Sequence, residues 1–337
     1  MNRKVYKKKK KKKKRKTLFL FLFTPILIVL LATAVYATNL YLKAENIANS
    51  SYEALENDVA NASSKVENMS ILFIGVDDSE TRNFNDSTRS DALMLATFNK
   101  DTNSVQLLSI PRDSYVYIPE KGYSTKINHA YAYGGAQGSI DTIEHLLDID
   151  VDYYMRMNFH AFIDVVDALG GVKVDVPYAI SEMDSSDKKG AIQLEEGLQT
   201  LNGEEALAFA RTRKQDNDME RGKRQQELIQ AIVQKATSVE SLTKYVDVIE
   251  AIGSNMKTNL TFSQMKSLVA YAIKNTDLSI TTSQLQGKDS TINGTYYFTL
   301  DDEELEKTRT LLQNHLNGIE TNESASEDNG FESVEMQ

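Results

Sequence analysis

The 337-residue chain contains no cysteine, so neither disulfide cross-links nor thiolate chemistry enters its account. Tryptophan is also absent, and nothing follows from that. Histidine is scarce: His129, His145, His160 and His315 lack the spacing of metal ligands and read as core or surface residues. The pairs Gly134-Gly135 and Gly170-Gly171 fit turns, and neither sits in a Walker loop or a dinucleotide fingerprint. No internal repeat is present. Basic residues are sparse too once the N-terminus is set aside. Met1 to Lys16 hold 12 of the 38 Lys and Arg and no acid, so 38 − 12 = 26 basic side chains face 48 acidic ones in the other 321 residues, a net charge of −22. A body this acidic repels polyanions, so no nucleic acid is expected as a partner. An anionic substrate must be caught by a local cluster of cations.

Long apolar runs are confined to one place. Leu18 to Ala37, LFLFLFTPILIVLLATAVYA, runs 20 residues without a charge, and at about 1.5 Å per residue it spans a hydrocarbon core of roughly 30 Å. It reads as one transmembrane helix, because the run exceeds the apolar region of a cleavable signal peptide. The lysine run before it stays cytoplasmic and directs the remainder outward. Beside a bilayer that run also suits anionic headgroups, at about 1 kcal/mol per basic residue. The expected organisation is a basic cytoplasmic tail (1–16), a signal-anchor helix (17–42), a helical stalk (43–69), a main domain (70–237), a helix-and-strand extension (238–316) and an acidic tail (317–337) too poor in apolar residues to order itself. This makes a single-pass type II membrane protein with its C-terminal domain outside. A cysteine-free exterior agrees with a Gram-positive-type envelope, and the outer part is long enough to bury a sizeable core.

Along that domain, Ile71 to Val76 is a short apolar strand running into Asp77 and Asp78, Ser79 to Ser90 a polar loop, and Ala92 to Phe98 the next strand. Val105 to Ile110 is a third, halted by Pro111 just before Arg112. After the Gly134-Gly135 turn, Ile140, Ile143, Leu146 and Leu147 mark an amphipathic helix. Strand Tyr153–Asn158, helix Phe159–Leu169 and strand Val172–Val176 follow, then a loop over Gly197–Asn202 and a helix over Gly203–Ala210. A loop, Lys214 to Asp218, precedes a helix over Met219–Lys235 that places Arg221 and Gln225 one turn apart. Helical patterns at Ser241–Gly253 and Thr261–Lys274, strands at Thr281–Leu285 and Thr295–Leu300, and a capped helix over Asp301–Leu316 complete the chain. Alternating strands and helices predict an α/β fold, an α-β-α layered domain around a central, mostly antiparallel or mixed sheet.

Five arginines, Arg89, Arg112, Arg211, Arg213 and Arg221, fall at the ends of these elements together with Asp77 and Asp91. Arginine stays charged at any working pH and presents a planar fork of donors, so several converging arginines point to phosphate. An oxygen-only aspartate pair suits Mg²⁺ (or Mn²⁺), which keeps several waters and takes phosphate oxygens as further ligands. The positive end of the Met219–Lys235 helix adds to that attraction. Plainer readings stand beside each residue. Arg112 and Asp113 also fit a surface ion pair, and Arg224 also fits a partner of Glu220 or Glu227. Tyr115, Tyr117, Tyr123, Tyr131 and Tyr133 suit either sugar stacking or packing. Ile140, Ile143, Leu146, Leu147, Phe159, Phe162, Val165 and Val166 suit either a lipid channel or the core.

Taken in order, Ile74-Gly-Val-Asp77, Arg89-Ser-Asp91, Ser109-Ile-Pro-Arg112-Asp113, Lys126-Ile-Asn-His-Ala-Tyr131, Asp167-Ala-Leu-Gly-Gly-Val172, Leu201-Asn-Gly-Glu-Glu-Ala-Leu207, Ala210-Arg-Thr-Arg213 and Asp218 with Arg221 and Arg224-Gln-Gln226 resemble the motifs of the LytR-CpsA-Psr family, from about Ser70 to Lys235. The resemblance implies a membrane-anchored phosphotransferase that moves an anionic glycopolymer, such as a teichoic acid or capsular polysaccharide, from a polyprenyl diphosphate carrier to peptidoglycan, at the C6 hydroxyl of N-acetylmuramic acid. It implies that Asp77 and Asp91 hold Mg²⁺ on the diphosphate and that Arg89, Arg112, Arg211, Arg213 and Arg221 with Gln225 bind its oxygens. An acceptor hydroxyl also calls for a base, for which Asp218 and Asp91 are the candidates. The competing functions are hydrolysis or simple binding of a polyprenyl diphosphate, and an envelope-related transcriptional regulator; the outward topology argues against the last.

Overall fold

A computed structural model describes residues 38–55, 67–76, 88–213, 218–238, 248, 255–275, 278–319 and 332–334. The apolar run at 18–37, Asp77 and most of the helix expected at Ser241–Gly253 lie outside these residues. No described helix is long and apolar enough to cross a membrane. The chain divides into two units, Met1–Asn46 and Ile47–Gln337. Residues 38–51 are helical (α1); all that follows concerns the second unit.

The centre is a mixed sheet. Its strands are β1 (Met69–Val76), β2 (Ser90–Asn99), β3 (Ser104–Ser109), β6 (Tyr153–Asn158), β11 (Met256–Thr258) and β12 (Ser279–Gln284), in the order β11-β6-β1-β2-β3-β12. A short strand from the acidic tail, β15 (Glu332–Val334), extends it beside β12. β1 runs parallel to β6 and β3 parallel to β12, while β2 is antiparallel to both β1 and β3. Alternation assigns the faces. Leu72, Ile74, Val76, Leu93, Leu95 and Leu108 pack with α2 (His129–Leu147) and α7 (Asp302–Leu316). Phe73, Met94, Ala96 and Leu107 meet Ile229 of α5 (Asp218–Thr237), and Ile71 and Phe98 meet Leu268 and Tyr271 of α6 (Phe262–Lys274). Because both faces are covered, the strands read as nearly continuous apolar runs. The α-β-α layering expected from the sequence is observed.

A second apolar cluster joins α3 (Phe159–Leu169), α4 (Gly203–Arg211) and α5 to two small hairpins. Asn158 caps α3 by accepting from Ala161 N, and Gly170 ends it with φ +82°. Asn202 and Glu205 form a capping box on α4. The first residue of α4 must be glycine: a Cβ on Gly203 would lie 2.4 Å from Ile163 O. The segment expected as a loop at Gly197–Asn202 is instead strand β10 (Gly197–Leu201), paired with β7 (Val172–Val176). Its five residues alternate too briefly between flanking Gly and Asn to declare a period. Hairpins β4–β5 (Tyr115–Ile118, Tyr123–Lys126), β8–β9 (Ile180–Glu182, Ile192–Leu194) and β13–β14 (Gly287–Ile292, Thr295–Leu300) are likewise made of short strands. The Gly134-Gly135 turn survives as a kink inside α2, with Gly135 at φ +60°.

Candidate diphosphate site

The pairing directions place the C-terminal ends of β1, β3, β6 and β12 and the start of β2 at one end of the sheet. Asp91 lies at that end on β2, and Arg112 lies there because Pro111 stops β3 and turns the chain. The turn is fixed by Ser114 N donating to Pro111 O at 3.0 Å and by Asn128 N donating to Arg112 O at 3.2 Å. Arg112 Nη1 donates to Asp91 Oδ1. Its Nε lies 3.6 Å from Asp113 Oδ2, beyond hydrogen-bond reach. Lys126 Nζ, at the end of β5, donates to Asp113 Oδ1 at 2.7 Å. Burial pushes the Asp113 carboxyl up, but the Lys126 hydrogen bond and the charges of Lys126, Arg112 and Arg221 outweigh it and hold the group below the ordinary carboxylate range.

Arg221 joins this corner from the first turn of α5 and is only 7% exposed. Its neighbour explains the approach. A Cβ on Gly222 would sit 2.5 Å from Gln284 Nε2 and 2.9 Å from Ser109 Oγ, so glycine lets the helix start lie against the ends of β3 and β12. Arg89 is exposed on the His129 side. Burial first, then the charges of Arg89 and Lys126, hold the His129 imidazole below its usual pKa. Arg112 Nε is buried without a hydrogen-bond partner among the described residues. An anion bound against such a buried guanidinium donor would satisfy it.

The second basic group is built differently. Arg211, the last residue of α4, donates through Nη2 to Met183 O and to Asp184 O, the latter at 2.8 Å. Thr212 Oγ1 donates to the buried Glu182 Oε1 at 2.7 Å, and Arg213 is exposed. Arg224 donates to Phe209 O at 3.0 Å, Thr212 O at 2.5 Å and Tyr178 Oη at 3.3 Å. It therefore locks the α4–α5 corner, and its charge also acts on the Glu227 carboxyl. Gln225 Nε2 reaches Ala210 O at 3.3 Å. The structure thus gathers Asp91, Arg112 and Arg221 at one sheet end, and attaches Arg211 and Arg213 to it through the helix that carries Arg221.

Asp77 lies outside the described residues, but Val76, just before it, is paired with Ser90, so the chain leaves β1 beside Asp91. Asp218 opens α5, and its side chain is outside the description. Asp91 Oδ2 accepts no hydrogen bond among the described residues, which leaves it a free oxygen donor. No cluster of three or more His, Asp or Glu able to hold a metal occurs among the described residues. Ile140, Ile143, Leu146 and Leu147 are all buried against the sheet, and the core reading holds for α2. Asp113, Lys126 and Glu182 are the site groups that residue-type reasoning left without a role. Lys126 had a signal, since it opens the Lys126–Tyr131 motif; Glu182 had none.

Residues 34–314 match the LytR_cpsA_psr family model. The chain belongs to this family. It is 43% identical over 253 residues to the polyisoprenyl-teichoic acid–peptidoglycan teichoic acid transferase TagT of Bacillus subtilis (strain 168), covering 74% of this chain and 77% of that protein. To the enzyme of the same description called TagU from the same organism it is 38% identical over 299 residues, covering 87% and 94%. Its fold superposes on TagT bound to LI-WTA with a TM-score of 0.66 at 39% identity, over 77% of this chain and 94% of that one. A structure of the LytR-CPS2A-psr family protein YwtF (TagT) with bound octaprenyl pyrophosphate lipid gives 0.62 at 37% identity, again over 77% and 94%. The family match continues to residue 314, past the last motif legible near Lys235. The matched stretch includes most of the strands and helices that follow Lys235.

Proposed function

We propose that this family member transfers a teichoic acid or related anionic glycopolymer from a polyprenyl diphosphate carrier to peptidoglycan, at the C6 hydroxyl of N-acetylmuramic acid. The observation that carries the reading is the corner of Arg112, Arg221, Lys126, Asp91 and Asp113 with its unmatched Arg112 Nε–H, in a chain whose relatives are teichoic acid transferases. The acceptor hydroxyl attacks the phosphorus that carries the glycan, the P–O bond to the carrier phosphate breaks, and polyprenyl phosphate leaves. Arg89, Arg112, Arg211, Arg213 and Arg221 with Gln225 bind the diphosphate oxygens, and the fixed guanidinium groups stabilise charge as it grows on the leaving phosphate. Asp113 supports this by remaining ionised and orienting both Lys126 and Arg112.

The donor chemistry fits a hard divalent cation: Asp91 offers a free oxygen where β1 delivers the chain to Asp77, and these two residues would hold Mg²⁺ (or Mn²⁺). Such an ion, when bound, neutralises diphosphate charge. Asp218 or Asp91 takes the proton of the acceptor hydroxyl. The apolar run at 18–37 anchors the chain with the domain on the outer face, where both substrates are found. Incubation of the full chain with lipid diphosphate-linked glycan, Mg²⁺ and peptidoglycan oligomers tests the reading. Glycan covalently attached to the oligomer is the expected product; free phosphorylated glycan in its place would establish a hydrolase instead.

A further inference from the structure

The β4–β5 and β13–β14 hairpins meet beside the corner just described. Phe298 N donates to Asp113 O at 2.9 Å, and Ser114 and Phe298 form a bridge. That contact carries Tyr296 and Tyr297 to Lys126, whose Nζ lies 5.4 and 5.8 Å from their ring centroids. Tyr297 packs edge-on against Tyr115 at 4.9 Å. Tyr115 stands directly across from Lys126 in the hairpin, and Tyr117, two residues on, faces the same way. Val116 and Ile118, on the opposite face, are buried. Tyr117 and Tyr296 remain 42% and 41% exposed. Contacts therefore run without a break from Asp91 through Arg112, Asp113 and Lys126 to Tyr296 and Tyr297 and on to Tyr115, while Tyr117, two residues further along that strand, packs on His145 at 5.2 Å.

We propose that the shelf of Tyr115, Tyr117, Tyr296 and Tyr297 is a carbohydrate subsite that takes the glycan strand of the peptidoglycan acceptor. This rests on the transferase reading above and supplies a role for the C-terminal extension. A tyrosine ring offers an apolar face for the C–H side of a pyranose and a polar rim for its hydroxyl and acetamido groups. Exposed aromatic side chains gathered in one place mark a binding surface, whereas single ones do not. Tyr296 is steadied by its hydroxyl, which donates to Asp289 Oδ1 at 2.9 Å. Position beside the donor's corner selects the acceptor over the donor polymer. Of the lysines near the shelf, Lys126 pairs with Asp113 at 2.7 Å and Lys121 with Glu120 at 3.6 Å, while Lys288 on β13 is exposed. An uncharged sugar backbone fits such a surface, and the adjoining arginine corner is where the anionic donor is held.

The test is calorimetric titration of the full chain in detergent with an uncrosslinked peptidoglycan tetrasaccharide, without any lipid donor. The Tyr117→Ala/Tyr296→Ala variant should bind at least about tenfold more weakly than wild type, a difference of about 1.4 kcal/mol. Tyr296→Phe should recover most of the affinity, because the ring and not the hydroxyl makes the stacking face. Affinity for a short-chain polyprenyl diphosphate should not follow these changes, and thermal melts report that the variants are folded. Equal tetrasaccharide affinity in wild type and the double variant would overturn the proposal, as would no binding by wild type or a loss confined to the lipid-linked donor. A wild type that binds the sugar yet transfers nothing would sink the transferase reading and leave the shelf standing.

Discussion

The two ends of the central sheet solve opposite problems. At the end where β1 and β3 finish, Asp91, Arg112, Asp113, Lys126 and Arg221 concentrate charge in a partly buried corner, and Arg112 Nε has no hydrogen-bond partner among the described residues. At the other end polar groups are matched to one another, including the Asp152 carboxylate, which accepts from Ser70 N at 2.8 Å. Asn68 Oδ1 accepts from Lys100 N at 2.8 Å while its Nδ2 donates to Leu316 O at 3.0 Å. Asn99 accepts from Asp101 N at 2.9 Å and donates to His315 O at 2.7 Å. His315 lies between Thr97 Oγ1 and Ser104 Oγ, at 2.9 and 2.8 Å. An unmet donor costs about 1–3 kcal/mol when buried, and a bound anion would remove that cost. Substitutions at the first end should change transfer with little change in melting, and substitutions at the second should do the reverse.

The largest effect is expected where the helices feed the charged end. Arg211→Ala with Arg213→Ala should abolish transfer while the melting temperature stays near wild type; wild-type rates would remove both residues from the site. Arg112→Ala comes next, with a loss of roughly 10²-fold in kcat/KM. Arg112→Lys should recover little of it, since an ammonium cannot reach Asp91 and the diphosphate together as a planar fork does.

These arginines were legible in the sequence because charge, strand-stopping Pro111 and helix ends are local signals. Gly203, inside the Leu201–Leu207 motif, and Gly222, beside Arg221, are glycines for a reason only the fold reveals, the closeness of Ile163 O and of Ser109 with Gln284. The main strands and helices were legible from apolar period, while β10, at Gly197–Leu201, was hidden by its length. Glu182 and the Tyr296–Tyr297 pair were not legible at all. Each acts on residues about thirty to nearly two hundred positions away in the chain, and no spacing encodes such a contact.

Glu182 gives the intermediate prediction. Its buried carboxylate holds Thr212, the residue between Arg211 and Arg213. Glu182→Ala should therefore weaken transfer by about tenfold and lower stability by about 1–3 kcal/mol. Glu182→Gln keeps an acceptor for the Thr212 hydroxyl and should restore most of the rate. A Gln variant as slow as the Ala variant would mean that the charge, and not the hydrogen bond, is what matters.

The smallest effect on transfer is expected at the far end, and it is a pH effect. Burial holds the His315 pKa down at about 4 against an ordinary 6.5, although its place in the last turn of α7 favours a positive charge by about 0.3–1 kcal/mol. Desolvation wins, so the folded protein keeps the ring neutral while the unfolded chain binds a proton below pH 6.5. Between those two values the unfolded state carries more protons, and stability must rise with pH. The neutral ring's contribution is complete above pH 6.5 and is progressively lost as pH falls toward about 4. Asp113, at the charged end, behaves as a depressed carboxylate, so its contribution is lost only at still lower pH, below its ordinary value of 3.8. Melting temperature recorded from pH 7 to pH 4.5 should therefore shift further downward in wild type than in His315→Gln, with the raised carboxyls of Glu144, Asp152 and Glu227 acting in the opposite sense in both. Parallel curves for the two proteins would show that His315 does not set the acid response of that end.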